Sequence, residues 1–120
     1  MAAGCGRLFE GTPQQMFDSL AKLQQLPPAT LICSGHEYTS ANLAFAASID
    51  PENTALQARI RAVARERAGN RPTVPVTLSE ELATNPFLRP QDPHIRAHLG
   101  LVDATDAQVF TAIRALKDKF

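Results

Sequence analysis

Thiol chemistry is nearly absent: 120 residues carry two cysteines, Cys5 and Cys33. They form no CxxC pair and no dense framework, which excludes a disulfide scaffold and a cysteine-built zinc site. A reduced, cytoplasmic setting is the expectation. Net charge is missing too. Twelve Lys and Arg offset twelve Asp and Glu, so no bulk field draws the chain to nucleic acid or to an anionic membrane. No apolar run reaches the roughly eighteen residues that a membrane-spanning helix needs. The opening, "MAAGCGRLFEG", lacks a charged region ahead of a long apolar stretch and is no secretory signal. It starts on small residues and a glycine turn, as a chain does in the middle of a fold.

What is present is an ordinary globular balance of 44% hydrophobic and 20% charged residues, enough for one domain that buries about two thirds of its unfolded surface. Thr12 and Pro13 read as the cap and first residue of a helix over about 13 to 25, with Met16, Phe17, Leu20 and Leu23 on one face. "ATLICSG", residues 29 to 35, has the length and β-branched content of a short buried strand. A second helix over about 37 to 49 presents Leu43, Phe45, Ala46 and Ile49, and Asp50-Pro51 closes it. Residues 52 to 68 form a third, with Leu56, Ile60 and Val63 inward, Arg59, Arg61, Arg65 and Arg67 solvated, and Gly69-Asn70 as the stop. A proline-punctuated connector follows, with a short helical turn near Ser79. Helices near 92 to 99 and from about 104 to the end complete the chain, the last with Val109, Phe110, Ile113 and Leu116 inward and capped by Thr105 or Asp103. The pattern is mostly α, with one strand that has no partner in the chain. A lone strand leaves backbone groups unsatisfied, so its sheet is expected to include residues from elsewhere.

Candidate functional residues are few. His36 follows the strand after Gly35, where a neutral imidazole suits zinc and glycine lets the backbone turn; it equally suits a helix start. His94 and His98 stand four apart on a helix, without a carboxylate on the same face, and read as solvated. Tyr38 is the one tyrosine and can point its hydroxyl into the cleft beside His36 or cap the core. Arg7 sits in the turn "GCGR". Arg114 and Lys117, three apart near the end of the last helix, either offset the helix dipole or clamp an anion.

Four segments, "AGCGRLFEGT", "GHEYT", "NPFLR" and the terminal R-x-x-K-D-x-F, in this order and spacing, resemble glyoxalase II, the hydroxyacylglutathione hydrolase of the metallo-β-lactamase fold. The resemblance runs from about residue 3 to residue 120. It implies residues 1–36 as the tail of a truncated metallo-β-lactamase αββα sandwich, contributing its last helix and strand, and residues 37–120 as the C-terminal helical domain. It implies His36 as a ligand of a binuclear metal centre of zinc, or of iron or manganese. Arg7, Tyr38, Arg114 and Lys117 are implied glutathione contacts, and Phe9 stands where some members have an aromatic hydroxyl. The implied reaction is hydrolysis of the thioester S-D-lactoylglutathione to D-lactate and glutathione, in methylglyoxal detoxification.

The resemblance also implies what the chain lacks. Family members carry T-H-x-H-x-D-H, a further histidine and the aspartate of "GDTLF" ahead of "AGCG", and none of these is in this sequence. The expectation is therefore a C-terminal portion, inactive alone, with one imidazole where two metals need several ligands. A non-catalytic helical module for glutathione-like anions and a degenerate fragment are the alternatives. The exposed strand edge is expected to favour association.

Overall fold

The computed structural model describes residues 1–120. Helix α1, Pro13–Leu23, starts where the sequence says: the Thr12 hydroxyl accepts from the Gln15 N–H while the Gln15 side chain accepts from the Thr12 N–H, a reciprocal capping box. Helix α2, Thr39–Ile49, and helix α3, Thr54–Ala68, pack against each other. Asn53 caps α3 by accepting from the Leu56 N–H. At its other end Asn70, not Gly69, takes the left-handed conformation, at φ 56°.

The strand expected over residues 29 to 35 shrinks to β1, Leu31–Ile32, and it does have a partner. It pairs antiparallel with β2, Val76–Thr77, Leu31 opposite Thr77 and Ile32 opposite Val76. The ladder is prolonged by the Leu78 N–H donating to Thr30 and the Ser79 N–H to Pro28. It stays short because Pro27 and Pro28 precede it and Pro75 precedes its partner. Thr77 then leaves the sheet to cap helix α4, Leu78–Thr84, by accepting from the Glu80 N–H. The proline-rich connector thus hides a strand, and the short helical turn expected near Ser79 is the seven-residue α4.

A 3-10 turn, Pro86–Leu88, leads to helix α5, Pro93–Leu99, capped by Asp92, and helix α6, Asp106–Lys119, capped by Thr105. Leu20 of α1, Phe45 and Ile49 of α2, Phe87, Ile95 of α5, and Val109, Phe110 and Ile113 of α6 share the larger core. Ala3, Leu43, Ala46, Leu56 and Val63 form a smaller one. Residues before and after position 36 therefore pack into common interiors. Leu116, expected inward, is 42% exposed. Arg59, expected solvated, is buried.

Candidate functional site

The glycine turn near the start of the chain is threaded into the helical body. Ala3 donates its N–H to both carboxylate oxygens of Glu81, at 2.9 and 3.1 Å. Asn42 donates to the Ala2 carbonyl and Asn85 to the Gly4 carbonyl. Glu81, fully buried, also accepts from Arg59 at 2.6 Å and from Asn85 at 2.8 Å, and Arg59 donates to Thr84. A buried ion pair is tolerable only when its remaining lone pairs and protons are used, and here the Ala3 N–H, Asn85 and Thr84 use them. Gly4 makes room for Asn42: a Cβ there would come within 2.7 Å of its side chain, which would have to shift from its bond to Ala2. Ala2 and Ala3 both hold φ 62°, strain of ~1–3 kcal/mol each that these bonds sustain.

The next residues are held from α6. Arg114 donates through Nη1 to the Cys5 carbonyl at 2.9 Å and the Gly6 carbonyl at 3.3 Å, and through Nη2 to Asp118 at 2.8 Å. The same Asp118 oxygen lies 3.6 Å from Arg7 Nε. Burial pushes the Cys5 thiol above its ordinary value, opposed by the hydrogen bond and charge of Arg114.

Opposite this loop stands "GHEYT". Glu37 accepts from the backbone N–H of Thr73 at 2.7 Å and from its hydroxyl. That hydroxyl bond, the backbone bond and the Arg67 charge hold the Glu37 carboxyl below its usual range. Glu37 so anchors the segment between His36 and Tyr38, whose rings stack at 5.1 Å, 7° from parallel. Between loop and segment lies a hollow of about 300 Å³, lined by Met1, Cys5, Gly6, Arg7, Ser34, Gly35, His36, Tyr38 and Asn42. No carboxylate lines it, and the N-terminus of α2 at its edge has neither a side-chain cap nor an acidic residue in its first turn. A guanidinium in a lining without carboxylates, with the positive end of α2 at the rim, favours an anion.

Of the residues singled out in the sequence, Arg7, His36 and Tyr38 meet here. Arg114 lies beneath the loop rather than in the lining. Phe9 is 87% exposed and outside it. Lys117 is outside it too, its Nζ 5.3 Å from the Phe45 ring and 5.2 Å from the Phe120 ring. Partial burial there, then the charge of Arg114, pull its pKa down.

These 120 residues do not by themselves fit a binuclear metal centre. His36 is exposed and stacked on Tyr38, and no three His, Cys, Asp or Glu side chains converge anywhere in the chain. His94 and His98 are exposed on α5, as the sequence suggested.

Sequence reasoning missed Arg59, Glu81, Asn85, Asn42 and Asp118. A signal existed for the first: Arg59 falls three after Leu56 and four before Val63, on the inward stripe of α3. "NPFLR" is a structural hub. Asn85 ties α4 to Gly4, Phe87 enters the aromatic core, and Arg89 pairs with Asp50 and Asp92. Burial raises the Asp92 carboxyl, but the Ile95 N–H and the Arg89 charge outweigh it and leave it below its ordinary value.

A family model described as "Hydroxyacylglutathione hydrolase C-terminus" matches residues 37–120. The chain belongs to that family. Among curated proteins it is 57% identical over its whole length to a hydroxyacylglutathione hydrolase of Cereibacter sphaeroides and 58% to one of Jannaschia sp.. It is 56% identical, over 99% of its length, to one of Mesorhizobium japonicum. It spans 47% of each of these relatives, about half their length. As a member of the family, the chain is mostly helical, six helices beside one two-stranded sheet. No helix is long and apolar enough to cross a membrane.

Proposed function

We propose that these residues form the glutathione-binding part of a hydroxyacylglutathione hydrolase, an enzyme that hydrolyses S-D-lactoylglutathione to D-lactate and glutathione. The observation that carries the reading is the charge arrangement of the hollow. Arg7 is its one lysine or arginine, no carboxylate opposes it in the lining, and the uncapped start of α2 adds partial positive charge. Glutathione brings two carboxylates on a flexible peptide, and a guanidinium binds a carboxylate through two parallel N–H bonds. The Tyr38 hydroxyl offers a further donor at the same rim.

His36, at that rim, contributes one imidazole to a binuclear centre whose other ligands lie outside these residues, with zinc, iron or manganese as its metals. The chain's own part is to hold the thioester's glutathione end in place beside that ligand. The outer edge of β1, unpaired within this chain, continues in this reading into the sheet of a metallo-β-lactamase sandwich made with the rest of the enzyme. The relatives' names, the family match and the gathering of Arg7, His36 and Tyr38 support the assignment.

The test is turnover of S-D-lactoylglutathione by a protein of the relatives' length that includes this chain, beside the 120 residues alone. Thioester hydrolysis is expected from the longer protein and none from the 120 residues. A longer, metal-loaded protein without that activity contradicts the proposal.

A further inference from the structure

We infer that the groove between α2 and α3 is a docking surface for a separate polypeptide, a helix with one apolar face and acidic residues four apart along its edge. The inference is independent of the glutathione reading, because this groove and the hollow share no lining residue.

The groove encloses about 300 Å³. Leu43 and Val63, both buried, form its floor, and Ala44, Ala47, Ile60 and Ala64 form its walls. Ser40 brings the one hydroxyl of the lining. Helix α2, TSANLAFAASI, carries no charged residue on any face, although Ala41, Ala44 and Ser48 are exposed. A surface helix ordinarily turns charge toward water, and one without it is ordinarily covered. Alanine walls end at Cβ, so another helix can approach to the roughly 8–10 Å of packed helices and seat its apolar side chains on the Leu43–Val63 floor.

Charge decides what the occupant is. Arg61 and Arg65 are exposed, stand four apart on α3, and each directly follows a wall residue, Ile60 or Ala64. One residue along a helix is about 100° of rotation, which sets both arginines on the outer rim, away from the buried Leu56 and Val63. Neither has an ionic partner. Their exposed neighbours do: Arg67 lies 3.7 Å from Glu37, and Arg71 lies 2.6 Å from Glu66. The opposite rim, on α2, is uncharged. An apolar floor with one basic rim and one neutral rim matches a helix whose apolar face is flanked on one edge by carboxylates at i and i+4. A second copy of this face does not match it. Helix α2 offers no carboxylate, and Glu66, the one acid of α3, is held by Arg71.

The test is a peptide titration followed through the methyl signals of Leu43, Ile60 and Val63, in the 120 residues and in a protein of the relatives' length. The probe is a synthetic amphipathic helix with leucines on one face and two glutamates four residues apart on its edge. Its counterpart carries lysines in place of the glutamates. Saturable shifts with the glutamate peptide are expected in both proteins, and binding of the lysine peptide about tenfold weaker, the factor that two exposed ion pairs supply. Arg61→Ala with Arg65→Ala is expected to erase that difference while melting stays cooperative. Equal affinity for the two peptides, shifts confined to other residues, or no binding overturns the inference. Binding by the 120 residues alone overturns it too, and makes the face a contact within the longer protein. The same shifts appearing on concentration without peptide would assign the face to a second copy. Shifts with phosphatidylglycerol vesicles and none with peptide would assign it to a lipid surface. Either result would overturn the polypeptide partner.

Discussion

Arg59→Ala is expected to destabilise the chain by about 3–5 kcal/mol, the cost of leaving one partner of a buried ion pair uncompensated. The side chains of Arg59 and Glu81 are 3% and 0% exposed, and the bond between them is 2.6 Å. Removing the guanidinium strands a carboxylate that water cannot reach and takes a donor from Thr84. Glu81 is also the acceptor for the Ala3 N–H, so the damage reaches the loop beside the hollow. Urea unfolding measures it, with Arg61→Ala on the exposed face of α3 as the reference, expected within about 0.5 kcal/mol of the parent. A loss under 1 kcal/mol for Arg59→Ala would mean that the pair is not buried as described.

The second large effect concerns substrate. In the longer enzyme, Arg7→Ala is expected to raise KM for S-D-lactoylglutathione about tenfold and to change kcat little. A charge-assisted contact is worth roughly 1.5–3 kcal/mol, and the lower end applies because the Arg7 side chain is 62% exposed and solvent screens it. The contact is made to the carboxylate end of the ligand, equally in ground and transition states, so its loss appears in KM. Tyr38→Phe removes a neutral hydrogen bond and is expected to raise KM about threefold to tenfold. Steady-state kinetics on the two variants check this. A fall in kcat with KM unmoved would assign Arg7 to the chemical step instead of to binding.

Helices were legible because caps and stripes are local. Thr12 with Gln15, and Thr105 with Gln108, close capping boxes that the sequence spells out in four residues. The sheet was not, because Val76 and Thr77 lie in a run with Pro72, Pro75 and two valines whose pairing depends on β1, over 40 residues away. A two-residue strand leaves no alternation to read. Arg59 was misplaced because charge outvoted position: it stands on the inward stripe of α3, and its partner comes from α4. In the site, the "GHEYT" segment announced itself through His36 and Tyr38. Glu37 did not, since its partner Thr73 belongs to a loop that only the fold brings near. For Arg114 the spacing offered a dipole role or an anion clamp; the tertiary contact with the Cys5 and Gly6 carbonyls supplies a third role that no spacing along α6 contains.

The central claim is that the hollow between the glycine loop and "GHEYT" receives glutathione. Titrating the isotopically labelled 120-residue chain with glutathione, and following its backbone amides by NMR, tests this most directly. The account predicts saturable shifts centred on residues 4–7, 34–38 and 42, abolished by Arg7→Ala. Shifts centred instead on the separate hollow formed by Asp50, Glu52, His94 and His98, or none at millimolar glutathione, would contradict it.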